Sequence, residues 1–348
     1  MPVKMSFVSS RLRGFVETVA GMSKEISYLE AIREALAEEM RRDPKVFVLG
    51  EDVGAYGGAF GVTQGLHEEF GEMRVIDTPI SESLIVGASV GASLRGYRPV
   101  AEMQFADFIS CGFDQLTNQA ATLRYRYGGT ASVPIVVRAP SGGNVGGGLY
   151  HSQNPEGWFV HRPGLKVVAP ATSYDAKGLL KAAIRDDNPV IYVEHKYLYR
   201  RAKGPVPEGD DIVPIGVAAT RREGNDATLI TYGAMVTPSL EAADRLAKEG
   251  VEVEVIDLRS LLPYDKDAIF RSLEKTNRVL IVHEDIRTLG IGAELSAVIM
   301  EERFDALDAP VLRVTYPDTY VPFSHVLEQA NLPNADKITA ALRRLAEY

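Results

Sequence analysis

The stretch Lys166–Glu194, KVVAPATSYDAKGLLKAAIRDDNPVIYVE, decides the fold class of this chain of 348 residues. Two short apolar runs, Lys166–Val168 and Val190–Glu194, have the character of buried strands, and Ser173–Arg185 between them has apolar residues at helical spacing. Two strands joined by a helical crossover of this length run parallel in one sheet. The stretch therefore predicts a βαβ unit and an α/β fold.

The same alternation begins upstream, at Tyr28, with Ser27 as a possible N-cap. Apolar residues at helical spacing predict helices, and short apolar runs bounded by Gly, Pro or charged residues predict buried strands. The predicted helices are Tyr28–Arg42, Ser81–Leu94 and Cys111–Tyr127, and the predicted strands are Val46–Leu49, Arg74–Asp77, Val100–Gln104 and Val133–Arg138. This order indicates a mostly parallel sheet covered by helices on both faces.

The segment Arg200–Pro214 is rich in Pro, Gly and charged residues, and it predicts a linker between two domains. A second α/β series follows it. Its predicted strands are Ala227–Thr231, Val251–Leu258, Val279–Val282 and Val311–Val314, with a helix that begins at Thr237-Pro238 and ends at Gly250 and another at Ala335–Ala346. A chain of 348 residues is long enough for two domains, each with its own core.

Composition excludes several classes of protein. The chain has 38 Lys+Arg and 47 Asp+Glu, a net charge of −9, which argues against a nucleic-acid partner. Cys111 is its one cysteine, so it has no intrachain disulfide and no thiolate metal set, as expected of a reducing compartment. The longest uncharged apolar stretch, Leu84–Leu94, is too short to span a membrane.

Residues 1–22 differ in composition from the rest of the chain. They contain Lys4, Arg11 and Arg13 and no acidic residue before Glu17, which is typical of an organellar targeting peptide. Two simpler interpretations are a loose leader and a translation start placed too early, with Met22 as the natural start. We expect a loose N-terminal extension that takes no part in the fold.

Several catalytic motifs are missing, and one is misleading. The chain has no G-x-G-x-x-G, no G-x-x-x-x-G-K-[ST] and no H-E-x-x-H, which argues against nicotinamide, P-loop and zinc-protease chemistry. Gly87–Gly91 matches the G-x-S-x-G nucleophile elbow, but its Ser89 falls inside a predicted helix rather than on a strand-to-helix turn. Its small residues indicate close packing of that helix.

Three polar segments are candidates for chemistry, and each has a structural alternative. In Asp77–Glu82, the carboxylate of Glu82 either complements a helix dipole or acts as a catalyst at the edge of the sheet. Glu102–Phe108 supplies either core phenylalanines or a site for a planar heteroaromatic ring. Ser141–Gln153 is either a mobile glycine-rich loop or the support of a proton carrier, His151.

These segments carry a resemblance to a known family. The strings are GEDV at Gly50–Val53, DTPISE at Asp77–Glu82, QFADF at Gln104–Phe108, YHSQ at Tyr150–Gln153 and DAKGLL at Asp175–Leu180. Together they resemble the beta subunit of the thiamin-diphosphate-dependent decarboxylating component of 2-oxo acid dehydrogenase complexes, from about Ile26 to Tyr348. The resemblance implies an α/β fold of two transketolase-like domains, a pyrimidine-binding domain at residues 23–205 and a C-terminal domain at residues 206–348.

The resemblance also implies roles for individual residues. Glu82 matches the glutamate that activates the cofactor by sharing a proton with the pyrimidine ring, an exchange that burial favours. His151 matches a histidine that binds the substrate carboxylate or supplies a proton. The positions that match other cofactor contacts are Glu51, Ile80, Ser81, Gln104 and the stacking aromatic Phe108, and those that match the substrate pocket are Phe105, Ala106 and Asp107.

Partners follow from the same resemblance. The signature Gly-Asp-Gly with a downstream Asn is absent from this chain, so an alpha subunit should hold the diphosphate and Mg²⁺, in an α₂β₂ heterotetramer bound to a lipoyl acyltransferase core. Some relatives bind a monovalent cation such as K⁺, here at the matching positions Ile135, Ala183, Ile184, Asp186 and Asn188, of which the last two could equally hold a loop through hydrogen bonds.

Two other functions stay open at this point. The nearer alternative is the beta subunit of an acetoin-cleaving complex, which uses the same cofactor and lipoyl arm but releases no CO₂. The more distant one is a non-catalytic assembly subunit, against which the presence of Glu82 and His151 argues. The sequence does not name the 2-oxo acid, because a methylene more or less changes discrimination by only about 1–3 kcal/mol. We expect a cytoplasmic protein of bacterial or archaeal type, rather than one of the mitochondrial matrix.

Overall fold

The computed structural model describes residues 23–348. The N-terminal extension predicted at residues 1–22 lies outside the described residues. Within the described part, no helix is both long and apolar enough to cross a membrane.

Helices and strands alternate along the described chain, as the sequence predicts. The helices are α1 Tyr28–Arg42, α2 Leu66–Phe70, α3 Glu82–Ser93, α4 Ala121–Arg126, α5 Glu156–Val160, α6 Ser173–Arg185, α7 Val236–Ala247, α8 Lys266–Thr276, α9 Ile291–Arg303, α10 His325–Asn331 and α11 Ala335–Ala346. The strands are β1 Ser23–Ser27, β2 Val46–Gly50, β3 Val75–Asp77, β4 Arg98–Glu102, β5 Val136–Ser141, β6 Lys166–Val168, β7 Val190–His195, β8 Lys203–Pro207, β9 Ala219–Arg222, β10 Ala227–Thr231, β11 Val253–Asp257, β12 Ser260–Leu262, β13 Val279–Ile286 and β14 Leu312–Tyr316.

Two sheets organise the molecule. The first has seven strands in the order β12-β6-β7-β5-β4-β2-β3, and every pair is parallel except β12 with β6. The second has five strands in the order β14-β13-β10-β11-β9, parallel except for β9. The predicted α/β fold, with mostly parallel sheets covered by helices, is confirmed.

The two sheets share buried side chains. One apolar cluster contains Tyr28 and Leu179 from the first part of the chain and Leu229 and Leu280 from the second. Buried charges also join the two parts, because Asp175 accepts from Arg259 Nη1 at 3.1 Å and from Arg221. Asp175 in the DAKGLL string therefore has a structural role at the junction of the sheets.

The linker predicted at Arg200–Pro214 contains regular structure. Strand β8 lies inside it and pairs antiparallel with β1, with Ile26 opposite Gly204. The sequence hides this strand, because its proline and glycine residues are those of a loop and only the distant partner strand favours pairing. The predicted domain boundary after residue 205 falls inside β8 and stays a prediction.

The single helix predicted at Cys111–Tyr127 is wrong in detail. The chain forms a 3₁₀ segment at Ala106–Gly112, a π-helical turn at Gln115–Ala120 and then α4. Helical periodicity does not separate these forms, because each leaves apolar residues on one face.

The predicted packing role of Gly87–Gly91 fits the position of Ser89. Ser89 is buried inside α3, where its hydroxyl donates to Ile85 O at 2.8 Å. A Cβ on Gly112 would lie 2.8 Å from a methyl carbon of Val86, so the 3₁₀ segment does pack closely on α3, whereas Gly91 faces open space. The arrangement is a packed helix and not a nucleophile elbow.

Candidate functional site

The candidate site lies at the carboxyl ends of adjacent parallel strands in the seven-stranded sheet. Glu51 directly follows β2, Gln104 follows β4 after one residue, and the glycine-rich loop begins at the end of β5. Glu82 opens α3 after β3 ends at Asp77. Parallel sheets bind ligands at this edge, because the loops of neighbouring strands meet there.

Two carboxyl groups oppose each other at this edge. Glu51 is buried, and its Oε1 has no hydrogen-bond partner among the described residues. Burial raises the pKa of Glu51, and the negative charges of Glu82 and Asp52 raise it further. Glu82 is half-buried in the first turn of α3. A buried carboxyl that favours its proton, beside a second carboxylate, suits a ligand with a basic ring nitrogen.

The two residues before Glu82 are available for contact with a ligand. Ile80 is 84% exposed, which is unusual for an aliphatic side chain next to a buried sheet. Ser81 occupies the N-cap position of α3, but its side chain makes no capping hydrogen bond. The hydroxyl of Ser81 therefore stays available.

Three rings meet at the same edge of the sheet, where the chain leaves β4. The ring of His151 lies 4.4 Å from that of Phe105 and 5.5 Å from that of Phe108, edge to face in both cases. Gln104 Nε2 lies 3.4 Å from Asp52 Oδ2, and Ala106 is buried. The structure thus brings together residues that the sequence places in separate cofactor and substrate groups.

Asp107 supplies a third carboxyl group to this cluster. Its Oδ1 accepts from the backbone N–H of Gln153 at 3.3 Å, and its Oδ2 is buried without a partner among the described residues. Burial raises the pKa of Asp107, and the positive charges of Lys196 and His151 oppose that shift. Asp107 is therefore a buried carboxyl group close to His151 whose pKa lies above its usual range.

Lys196 is a charged neighbour of the site, and no motif in the sequence indicates it. Its Nζ donates to Pro140 O at 3.1 Å and lies 5.8 Å from the centre of the Phe105 ring. Burial lowers the pKa of Lys196 to about 8, against the pull of Asp107, Glu284 and Glu194. A lysine at a strand end carries no signal of burial in the sequence, because lysines are almost always exposed.

The positions that match a monovalent cation site already have hydrogen-bond or ion-pair partners within the protein. Arg98 Nη1 donates to the carbonyl oxygens of Ile184 and Asp186 at 3.1 and 3.0 Å. The Asp186 carboxylate pairs with Lys166 and accepts from Asn188 Nδ2 at 2.8 Å. The backbone oxygens of Ile135 and Ala183 accept from backbone N–H groups of Val190 and Asp186. These contacts favour the hydrogen-bonding role for this loop.

A cavity of about 540 Å³ opens directly after His151, lined by Ser152 and Gln153 on one side and by Asp285 and Tyr320 on the other. A buried acid pair lies at its edge. Tyr232 Oη donates to Glu156 Oε1 at 2.7 Å. Burial and the charge of Asp285 raise the pKa of Glu156 to about 8, and burial raises the pKa of Asp285 to about 7.

The donor set suits one half of a thiamin diphosphate site. Glu51, Glu82 and the rings of Phe105 and Phe108 offer carboxyl and aromatic groups of the kind that an aminopyrimidine requires. Among residues 23–348, no group of three or more His, Cys, Asp or Glu side chains has the geometry of a metal site. The residues present fit the pyrimidine.

Two family models match this chain. The transketolase pyrimidine-binding domain matches residues 24–202, and the transketolase C-terminal domain matches residues 216–338. Among solved structures, a split-gene transketolase described as an inactive beta4 tetramer is similar, with a TM-score of 0.75 and 25% identity over 92% of this chain and 98% of that chain.

Curated bacterial proteins are more similar in sequence. The beta subunit of 2-oxoisovalerate dehydrogenase from Bacillus subtilis is 52% identical, over 93% of this chain and 99% of the relative. The beta subunit of acetoin:2,6-dichlorophenolindophenol oxidoreductase from the same organism is 48% identical, over 93% and 98%. The beta subunit of its pyruvate dehydrogenase E1 component is 46% identical, over 93% and 99%.

Proposed function

This chain belongs to the transketolase-like beta subunits of the 2-oxo acid dehydrogenase family, and from that premise we propose that it decarboxylates a 2-oxo acid together with an alpha subunit and passes the acyl group to a lipoyl arm. The observation that supports this most directly is the buried carboxyl of Glu51, which interacts electrostatically with Glu82 at the sheet edge that also carries Phe108. A pure assembly subunit would have no use for an unpartnered buried carboxyl, which costs free energy to maintain.

Glu82 is the residue to which we assign cofactor activation. Thiamin diphosphate, when bound, supplies the ring that attacks the 2-oxo carbonyl and takes up the electrons left as CO₂ departs. Glu82 would hold a proton at its carboxyl and share it with the pyrimidine nitrogen. Burial raises the pKa of Glu51, which favours the uncharged form of that carboxyl and so limits repulsion between the two acids.

The remaining site residues orient ligands. Phe108 offers a ring face to the pyrimidine, and Ile80, Ser81 and Gln104 would complete the contacts to it. His151, with Phe105, Ala106 and Asp107 around it, would bind the substrate carboxylate or hold the proton needed when the acyl group moves. The rings of Phe105 and Phe108 lie edge to face against His151 and would limit its orientation.

Exposed apolar side chains near His151 support an alpha subunit as partner. Tyr150, Leu289, Tyr320 and Phe323 are 60%, 85%, 69% and 63% exposed. Exposed aromatic and aliphatic side chains around a site are typical of a protein interface. We infer an α₂β₂ heterotetramer in which alpha holds the diphosphate and Mg²⁺, bound to a lipoyl acyltransferase core in a bacterial cytoplasm.

The test replaces Glu82 with Gln in the reconstituted alpha–beta complex. Decarboxylation should fall by about 100-fold or more, because Gln cannot transfer a proton. Glu68→Gln, on the exposed side of the short helix α2, is the matched control and should leave the rate unchanged. A normal rate in the Glu82→Gln complex would show that the mechanism is wrong.

Acetoin cleavage is the second candidate function, since the acetoin-linked relative is nearly as similar as the 2-oxoisovalerate one. Assays with pyruvate, branched-chain 2-oxo acids and acetoin decide between them: CO₂ release supports the first function and acetaldehyde release the second. Cofactor binding tests the assembly role, because a pure scaffold would not raise the affinity of alpha for thiamin diphosphate.

A further inference from the structure

The glycine-rich loop that leads to His151 depends on acceptors from the C-terminal part of the chain. Positive φ angles at Gly142 (89°) and Asn144 (63°) remove this backbone from the β-ladder. The amide of Gly143 donates to Glu284 Oε1 at 2.6 Å, and that of Asn144 donates to Glu328 Oε1 at 2.7 Å. Buried amides need acceptors, so these two carboxylates hold the start of the loop.

Glu284 has a second partner in the first sheet. Its Oε2 lies 2.9 Å from Nε2 of His195, the last residue of β7. The other ring nitrogen, Nδ1, accepts from the backbone N–H of Tyr197 at 3.2 Å, so it carries no proton. Nε2 therefore carries the proton, and His195 donates it to Glu284 as a neutral ring. Glu284 is then an acceptor on both oxygens.

The loop lies directly against this pair. A Cβ built on Gly142 would fall 1.9 Å from His195 Nε2, so no side chain fits between the loop and the ring. The amide of Gly142 donates to Gln153 O at 3.1 Å and closes the base of the loop on the far side of His151. Both ends of the loop are therefore anchored, and His151 lies two residues before the anchored Gln153.

We propose that Glu284 is a positioning residue for His151: it anchors the loop amide of Gly143 and the ring of His195 at once, so that the C-terminal domain holds the substrate-side histidine of the pyrimidine-binding domain in place. This proposal rests on the proposed function for the role of His151, but the anchoring itself does not. Glu284 lies on β13, 141 positions from Gly143 in the sequence.

The two anchoring carboxylates should respond differently to amidation. Glu284→Gln places an amide N–H₂ against a donor, either His195 Nε2–H or the Gly143 amide. Glu328→Gln keeps Oε1 for Asn144, and its new N–H₂ replaces Oε2, which has no partner among the described residues. The double variant Glu284→Gln with His195→Gln restores a donor–acceptor match between the two side chains.

The experiment measures amide hydrogen exchange by mass spectrometry in the full chain, with and without its alpha partner. In Glu284→Gln, peptides that cover residues 142–151 should exchange about 10-fold faster, while those from α6 should not change. Glu328→Gln and the surface control Glu302→Gln should match wild type, and the double variant should recover most of the protection. Unchanged exchange in Glu284→Gln, or faster exchange throughout the chain, would overturn the proposal.

Kinetics of the same complexes separate positioning from general damage. For Glu284→Gln, kcat should fall about 10-fold while the Kd for thiamin diphosphate changes less than about 2-fold, because Glu82 and Phe108 are untouched. Equal losses in cofactor affinity and kcat would contradict a positioning role. Turnover and hydrogen exchange test the two proposals separately. If wild type turns over no 2-oxo acid, the proposed function is wrong. If Glu284→Gln still speeds exchange at residues 142–151, the anchoring role of Glu284 is supported all the same.

Discussion

Lys196 is buried close to the ring of Phe105, and this environment determines how readily its ammonium group loses a proton. Its Nζ has one carbonyl acceptor, Pro140 O, and the carboxylates of Asp107, Glu284 and Glu194 exert only a partial pull. The effect of burial is larger than the effect of these charges, and it lowers the pKa of Lys196 to about 8. Lys196 therefore approaches its titration range near neutral pH, beside residues assigned to the substrate.

A buried lysine of this kind gives stability a measurable pH dependence. Between about pH 8 and about pH 10 the unfolded chain keeps a proton on Lys196 that the folded chain has released, so wild type should gain stability as the pH rises. Urea unfolding at several pH values should show this gain relative to Lys196→Met, with the exposed Lys248→Met as control. A Lys196→Met curve parallel to wild type would show that Lys196 does not titrate in this range.

Helix α1 shows how a single element is specified by its own residues. The Ser27 side chain accepts from Glu30 N at 3.2 Å, and the Glu30 carboxylate accepts from Ser27 N at 2.7 Å. This reciprocal pair satisfies two amides at the N-terminus of the helix, which is why the boundary at Tyr28 is sharp. The predicted cap at Ser27 is confirmed.

Removal of that cap should destabilise the protein without a change at the site. Ser27→Ala leaves the Glu30 amide without its acceptor and should cost about 1 kcal/mol of unfolding free energy. The midpoint of thermal unfolding should decrease, while cofactor affinity stays constant. Ser132→Ala, at an exposed position outside the helices and strands, is the control. Equal midpoints for the two variants would mean that the cap contributes nothing.

The junction between the two sheets is where the whole molecule responds to pH. Glu156 comes from the first part of the chain, whereas Tyr232 and Asp285 come from the second. The folded state binds protons on Glu156 and Asp285 more tightly than the unfolded state does, since burial raises the pKa of both. Folding is therefore favoured while these carboxyls are protonated.

The change of stability with pH that Glu156 causes should have the opposite sign to the change that Lys196 causes. Between about pH 5 and about pH 8 the folded chain keeps a proton on Glu156 that the unfolded chain has lost, so stability should fall as the pH rises. Glu156→Gln should reduce this slope by about 1.4 kcal/mol per pH unit, because Gln can accept from Tyr232 and carries no charge. Calorimetry from pH 5 to 8 measures this slope, and an unchanged slope would show that Glu156 does not keep its proton in the folded state.

Much of the fold could be predicted from local pattern. Helices Tyr28–Arg42 and Ser173–Arg185 and strand Ala227–Thr231 have the predicted bounds, because capping residues, breakers and periodicity act over a few residues. The strand Lys203–Pro207 could not be predicted, because its partner Ser23–Ser27 lies far away in the sequence. The short motifs identified the family, and the roles of Glu82 and His151 stay predictions.

The sequence by itself determined the α/β alternation, the parallel sheets and the family, since these depend on residue spacing and short motifs. Only the tertiary structure decided which groups support the candidate site. Glu284 and Lys196 carry no motif, and they act because the fold buries them against Gly143 and Phe105. Burial changes the state of a charged group and obliges each buried amide to find an acceptor, and neither effect exists until distant segments meet.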